Sequence, residues 1–442
     1  MTFTNPAPGD EDRATDAAPA HSGRLSRRAI LAATIGTATE FYDVTVYAYL
    51  TTVIAVVFFP AGDPAAALLA ALAAFAASFL VRPLGGILFG WIGDTLGRRK
   101  ALVIALLGMA VATFAIGVLP TYAAFGLAAT VLLMVARIAQ GISAGGEIGG
   151  AAAYLAEQAP PARRGLVTCL VNVGVLIGTL SASLAVAVLV GVLTQEQMLA
   201  WGWRLPFLIA LPLGVIGLYI RRRLEDTAQF EAARAAGEVP RIPLVALLRD
   251  HRKALAQGFV VSALTYGGFY TVFSYTQIHL VQVTEHSARI ASLSTTVGLA
   301  VGLVLLPLFG LLGDRLGRKP VLGAAVVLLA VLPWPMFTLF ESGSAVAAVL
   351  ATVALGVPII MIQAVNLSVL CELFPTMVRY SGLSLAFNLA AVAFGGTTPL
   401  LCTALIRLTG SPTAPALYLI GLALVCAPAV LTMKETARVP LD

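Results

Sequence analysis

Two carboxylates and a phenol stand three and seven positions apart in an otherwise apolar stretch: Glu40, Asp43 and Tyr47. At helical spacing they share one face. Arg82, Arg137 and Glu147 also fall inside apolar runs. An ionised side chain at the centre of a membrane helix costs about 2.5 to 3.5 kcal/mol on insertion scales, so each of these needs a partner or water. A carboxylate in such a place can cycle: ionised while paired with a guanidinium, protonated when that partner turns away. The pattern reads as proton coupling through Asp43 or Glu40, with Arg137 controlling the carboxylate. Glu147 shares a Gly-rich helix with Arg137, and Arg82 serves as a structural or gating cation. Static ion pairs that lock helices together are the other reading of the same residues.

Neutral groups recur beside these charges. Tyr266, Tyr270, Phe273 and Gln277 follow one another at spacings of four, three and four, within about 40° on one helix face at 100° per residue. A stripe of ring faces can hold a quaternary ammonium by cation-π attraction; helix packing explains it too. Gln363, Asn366 and Asn388 sit in apolar runs, where they can orient a carboxylate or hydrogen-bond between helices. With Tyr47 these are the candidate substrate contacts. Cys169, Cys371, Cys402 and Cys426 lie in apolar runs and read as free thiols, and no His has metal-ligand spacing. No metal and no cofactor is expected.

The elements that carry these residues follow from composition. Of 442 residues 59% are hydrophobic and 11% charged, against about a quarter charged in soluble domains. Twelve apolar runs can be read: 30–59, 65–93, 101–119, 125–155, 166–193 and 205–220, then 254–281, 291–312, 321–340, 345–373, 383–408 and 416–433. About 20 residues span the hydrocarbon core as a helix. An even number of crossings puts both termini on one side. Of the 28 Lys and Arg, only Arg204, Arg289 and Arg407 fall in the loops opposite the termini, so the termini are expected in the cytoplasm. The excess of basic residues is therefore a matter of topology and anionic lipid rather than nucleic acid. No Lys follows a Gly, which excludes the Gly-Lys-Ser/Thr phosphate loop and ATP-driven transport by this chain alone.

The expected organisation is a disordered cytoplasmic tail over 1–28, a six-helix bundle over 29–220, a polar cytoplasmic linker over 221–253, a second bundle over 254–433 and a short tail over 434–442. Internal duplication supports the division. Gly90, Gly93, Asp94, Leu96, Gly97 and Arg98 recur 220 residues later as Gly310, Gly313, Asp314, Leu316, Gly317 and Arg318. A basic residue follows in each copy, Arg99 and Lys319, and Arg315 has Thr95 as its counterpart. An acid at the end of one helix can bind the N–H groups at the start of another, so these loops are candidate cytoplasmic gates.

This duplicated pattern resembles the signature of the major facilitator superfamily, from which Thr95 departs. Four further stretches resemble its metabolite:proton symporter branch: Gly36 to Tyr47, Arg82 to Gly86, Arg137 to Glu147, and Trp201 to Phe207. Segments at Phe58 to Pro64, Leu211 to Tyr219 and Met433 to Ala437 are most similar to the proline and glycine betaine importers of that branch. The resemblance implies an all-α membrane protein, two pseudo-symmetric six-helix bundles with a site near the midplane between them. It implies proton-coupled import of a small zwitterion by a functional monomer in the cytoplasmic membrane. An organic carboxylate such as a 2-oxo acid or a shikimate-like compound is the alternative cargo. A non-transporting receptor on the same fold is the alternative of another class. An enzyme is not expected, because the acids lack a nucleophile or metal set beside them.

Overall fold

A continuous apolar stretch satisfies its backbone polar groups within its own helix, the only way an isolated segment can do so in hydrocarbon. The computed structural model describes residues 27–60, 62–236 and 243–441. The expected tail, apart from Arg27 and Arg28, and part of the linker lie outside those residues. The first half starts with α1 (Arg27–Tyr49), which bends by 67° into α2 (Thr51–Phe58). It continues with α3 (Pro64–Leu80), α4 (Arg82–Thr95), α5 (Arg98–Val118), α6 (Leu127–Gln158), α7 (Arg164–Val192) and α8 (Arg204–Arg221). Two short helices, α9 (Ala228–Ala235) and α10 (Pro243–Asp250), lead to the second half.

There α11 (Arg252–Phe269) runs through a π-helical turn at Tyr270–Tyr275 into α12 (Thr276–Gln282). Next come α13 (Ala288–Leu316), α14 (Arg318–Val331) bent by 46° into α15 (Pro333–Phe340), and α16 (Ala345–Leu373). The fold closes with α17 (Arg379–Ala390), a second π-helical turn at Ala391–Gly395, α18 (Thr398–Thr409) and α19 (Ala414–Thr432). Among the described residues nine spans are long and apolar enough to cross a membrane, and the two bent pairs raise that to eleven. The stretch over 252–282, the remaining one of the twelve expected runs, is broken by a π turn and rich in hydroxyl groups, and falls outside that count.

Small side chains set the distances between helices. Gly145 of α6 lies against Arg82 O and Gly86 N, so that a Cβ there would run into α4 backbone. The close approach of α4 and α6 is what brings Arg82 and Arg137 into one neighbourhood. The halves meet along two seams, α4 on α17 and α7 on α13. Outward-facing Leu80, Leu184, Val192, Leu400 and Val425 are exposed, a surface suited to lipid tails rather than water.

Replacing Gly145 by Val should lower thermal stability by about 1 to 3 kcal/mol through overpacking. Gly191→Ala, where no atom lies within 4 Å of the added Cβ, should leave the melting curve of the purified protein in place or raise it slightly. Equal effects from the two variants would count against the close approach of α4 and α6.

Candidate functional site

Buried charge in the first half is spread over α1, α4, α5, α6, α7 and α8. Glu40 of α1 and Arg82 of α4 pair at 3.3 Å, both buried. The Arg82 guanidinium also lies over Phe79, 4.7 Å from the ring centroid. Asp43, one turn beyond Glu40, accepts a hydrogen bond from Thr113 Oγ1 of α5 at 2.8 Å. Neither oxygen of Glu40 has a hydrogen-bond partner among the described residues, and neither has Asp43 Oδ1. A cavity of about 10 Å³ touches Asp43, Ser78, Arg82, Arg137 and Gln140, on the order of one water molecule.

Arg137 is where the structure departs from the sequence reading. Among the described residues no carboxylate lies within ion-pair distance of it. It donates instead to Gln140 Oε1 at 2.7 Å and Ser78 Oγ at 2.7 Å. Its guanidinium stacks over Tyr47 at 4.0 Å and over Phe75 at 5.5 Å. The bond of Tyr47 Oη to Ala71 O at 3.1 Å holds the ring in that place. Glu147, on the same helix α6 as Arg137, forms a two-pronged pair with Arg221 of α8. Arg221 also donates to Leu102 O at 2.8 Å. In the sequence Arg221 reads as one of three consecutive loop arginines, and only the fold draws it inside.

The second half offers rings and neutral polar groups. Tyr266 and Tyr270 stack with centroids 6.2 Å apart, Tyr266 lies 4.8 Å from Phe387, and Tyr270 meets Phe79 of the first half edge-on at 6.4 Å. Rings from both halves thus adjoin the Glu40–Arg82 pair. Tyr266 Oη and Gln363 Oε1 are buried with no hydrogen-bond partner among the described residues. Phe273 leaves this group and packs within its own half against Gly298 and Gly356. The π turn at Tyr270–Tyr275 adds a residue to the helical repeat and breaks the 100° spacing on which the stripe of four was read. Gln277 lies beyond that turn in α12, half-buried.

Asn366 Oδ1 accepts from Asn172 of α7 at 3.0 Å. Asn388 Nδ2 donates to Gly145 O of α6 at 2.7 Å. Both asparagines therefore join the halves.

At one end of the bundles the duplicated loops form two clamps of the same design. Asp94 accepts from the backbone N–H groups of Tyr380 and Ser381, at the start of α17, at 3.2 and 2.9 Å. Asp314 accepts from Gly165 and Leu166, at the start of α7, both at 2.8 Å. Each acid sits at the positive end of a helix from the opposite half. Beside the first, Arg98 binds Asp94 and Glu157, and Glu157 also pairs with Arg379 at 2.9 Å. Beside the second, Arg318 binds Asp314 and Glu372, and Glu372 pairs with Arg164 at 3.0 Å.

Gly90 and Gly310 let the halves touch, since a Cβ would meet Ser381 at the one and Cys169 at the other. Gly97 and Gly317 hold φ of +117° and +107°, left-handed values that L side chains avoid. Arg99 N–H then donates to Asp226, and the Arg318 and Lys319 N–H groups donate to Glu435. Thr95 bonds only back to Trp91 O of its own helix, and Arg315 is exposed.

Sequence reading missed Glu157, Arg164, Glu372 and Arg379. A signal was present. Glu157, Pro160 and Arg164 recur 215 residues later as Glu372, Pro375 and Arg379, the same acid-to-arginine step of seven in each half. Asp226 and Glu435 carried a fainter mark, the acid-Thr-Ala triplet Asp226 to Ala228 recurring 209 residues later as Glu435 to Ala437.

The Major Facilitator Superfamily profile matches residues 42–396. The ectoine/proline transporter ProP of Corynebacterium glutamicum is 37% identical over 430 residues, 94% of this chain and 85% of that protein. The glycine betaine/proline/ectoine/pipecolic acid transporter OusA of Dickeya dadantii is 38% identical over 432 residues, 95% of this chain and 85% of that protein. Among solved structures, the proton:xylose symporter XylE bound to 6-bromo-6-deoxy-D-glucose superposes with a TM-score of 0.81 at 17% identity, covering 94% of this chain and 97% of that one. The inward open conformation of XylE from E. coli gives 0.62 at 18% identity, covering 90% and 94%.

With both clamps closed, Asp94→Asn and Asp314→Asn should each raise the population open to the cytoplasm, and the pair should raise it further. Distances between spin labels at the exposed Leu96 and Leu316, in a background lacking the native cysteines, will read this as a growing long-distance component. An unchanged distribution in the double variant would remove the clamps' role. The tail adds a pH test. Burial favours the protonated form of Glu435, but N–H donors from Ala437, Arg318, Lys319 and Thr436 outweigh it and hold the carboxyl below the ordinary glutamate range. Its stabilisation is therefore complete above that range and is lost as pH falls through the lowered value. Hydrogen exchange at Thr436 and Ala437 should stay protected until the pH drops below that of a free glutamate, and Glu435→Ala should lose protection already at neutral pH.

Proposed function

The chain belongs to the Major Facilitator Superfamily, and from that premise we propose that it imports a small zwitterion of the proline/betaine kind together with protons, by alternating access. The observation that carries the reading is the pairing, at the seam between the halves, of one buried guanidinium with a set of aromatic faces. Arg82 suits the carboxylate of such a cargo, and Tyr266, Tyr270, Phe387 and Phe79 suit its ammonium end. The relatives named for proline and betaine transport, similar over nearly the whole chain, support the same cargo.

Glu40 and Asp43 are the proton carriers in this reading. Each has oxygen lone pairs free of hydrogen bonds, and cargo arriving at Arg82 competes with Glu40 for the same guanidinium. Release of Arg82 to the cargo leaves Glu40 without its cation in a site shut off from water, a condition that favours uptake of a proton. Carboxylate neutralised and cargo bound, the halves rock. The Asp94 and Asp314 contacts break, and the site faces the cytoplasm. The protein works in the cytoplasmic membrane with both termini inside, as a monomer, drawing on the proton gradient and on no cofactor.

Proteoliposomes with an acidic exterior should accumulate labelled glycine betaine or proline, and a protonophore should collapse the gradient. Asp43→Asn should abolish accumulation while retaining counterflow exchange. Tyr266→Leu should raise KM for glycine betaine by about 3- to 30-fold, the span of a lost cation-π contact, with a smaller effect on a carboxylate cargo. Accumulation of 2-oxoglutarate or shikimate in place of the zwitterions would move the cargo to the organic acids. Proton-independent uptake would sink the symport reading.

A further inference from the structure

Between Arg137 and Asp43 runs an unbroken chain of hydrogen bonds over three helices. Arg137 Nη1 of α6 donates to Gln140 Oε1 at 2.7 Å, Gln140 Nε2 donates to Thr113 Oγ1 at 2.6 Å, and Thr113 Oγ1 donates to Asp43 Oδ2 at 2.8 Å. Arg137, Gln140, Thr113 and Asp43 are all buried.

The direction of this chain is not free. A guanidinium has donors only and does not deprotonate in proteins. The Gln140 amide must therefore turn its oxygen to Arg137 and its NH₂ to Thr113. The Thr113 hydroxyl receives that donor, and its single proton goes on to Asp43. Oδ2 is held as an acceptor at every point of the cycle in which the chain is intact, whereas Oδ1 has no hydrogen-bond partner among the described residues.

We propose that Gln140 and Thr113 are positioning residues that carry the orientation set by Arg137 to Asp43, reserve Oδ2 as an acceptor, and leave Oδ1 as the atom that takes the transported proton. The proposal rests on the reading of Asp43 as a proton carrier. It replaces a direct ion pair with a transmitted one: Arg137 stabilises the ionised carboxylate through two neutral side chains and remains stacked on Tyr47 throughout. A direct Arg–Asp contact must break for the carboxylate to be neutralised, with the loss of a charge-assisted bond. The relay need not break, because protonation at Oδ1 leaves the Thr113 bond to Oδ2 in place. The charged and titratable groups facing Asp43 are Glu40 and Tyr42 on its own helix, Arg137 on α6 and Arg82 on α4, while Glu147 of α6 and Arg221 of α8 face Glu40; α5 faces Asp43 with Thr113 and Met109.

The test is a pH titration of the reconstituted full-length protein by difference infrared spectroscopy, following the C=O band of the protonated carboxyl that Asp43→Asn removes. Thr113→Val keeps the shape of the side chain and deletes the donor. Its midpoint should move to higher pH by about one to two units, the worth of one hydrogen bond to a charged acceptor. Gln140→Leu should move it in the same direction by less, because a freed hydroxyl can still reach Oδ2, and Thr113→Ser should return the midpoint to that of the unaltered protein. Midpoints for Thr113→Val and Gln140→Leu that coincide with the unaltered protein, while Asp43→Asn still removes the band, would overturn the relay and leave Asp43 as the proton carrier. If Asp43→Asn removes no titrating band, the carrier reading falls and the relay with it.

Discussion

A guanidinium keeps its charge at any pH a cell meets, and hydrocarbon offers it nothing. Seven arginines, Arg82, Arg98, Arg137, Arg164, Arg221, Arg318 and Arg379, are among the largest fully buried side chains of the protein. Much of its polar architecture is arranged to receive them. Each calls in partners from other helices: carboxylates at Arg82, Arg98, Arg164, Arg221, Arg318 and Arg379, and a hydroxyl and ring faces at Arg137, which also binds the amide of Gln140 on its own helix. Removing one partner of such a pair leaves a buried charge uncompensated, a penalty of about 3 to 5 kcal/mol. The arginines therefore dictate which helices stay together and which contacts must be exchanged when the halves move.

They fall into two groups with different duties. Arg98, Arg164, Arg318 and Arg379 lie at the end that carries the duplicated loops, where Asp94 and Asp314 bind helix starts across the seams and Glu157 and Glu372 each bridge two of the arginines. These contacts are close to water on one side, so their exchange for hydration is far cheaper than exchange within hydrocarbon. Arg82, Arg137 and Arg221 lie inside the first bundle and are tied to helices of that bundle. Among the described residues the two groups share no ion pair.

The helices, the two halves and the acid-glycine loops were legible because hydropathy and a repeat at fixed offset are local properties of a chain. Glu40, Asp43, Arg82 and Arg137 were legible as costly residues, but their partners were not. Partner choice depends on the α4–α6 approach permitted by Gly145 and on the rotation of α6 that sends Glu147 towards α8. Thr113 carries no charge and gives no sign of importance in an apolar run, and Gln140 stood out only as one position of the stretch Arg137 to Glu147 that resembles the symporter branch; the role proposed for both follows from Arg137 pointing at Gln140 rather than at an acid. The aromatic stripe on α11 was half legible. Tyr266 and Tyr270 precede most of the π turn and keep their face, whereas Phe273 lies within it and turns away.

Within the described residues, buried acids and arginines at the level of Glu40, Asp43 and Arg137 belong to the first half alone, while the second half brings rings, amides and hydroxyls to the seam. The groups proposed to carry the proton thus sit in the first half, and most of the rings proposed to meet the cargo sit in the second. The half that meets the cargo can drift in sequence under selection for a new solute, and the half that meets the proton need not be reinvented each time. A fold divided in this way is a source of new nutrient specificities at constant drive, with the two clamps as the shared grammar that keeps any pairing of halves in step.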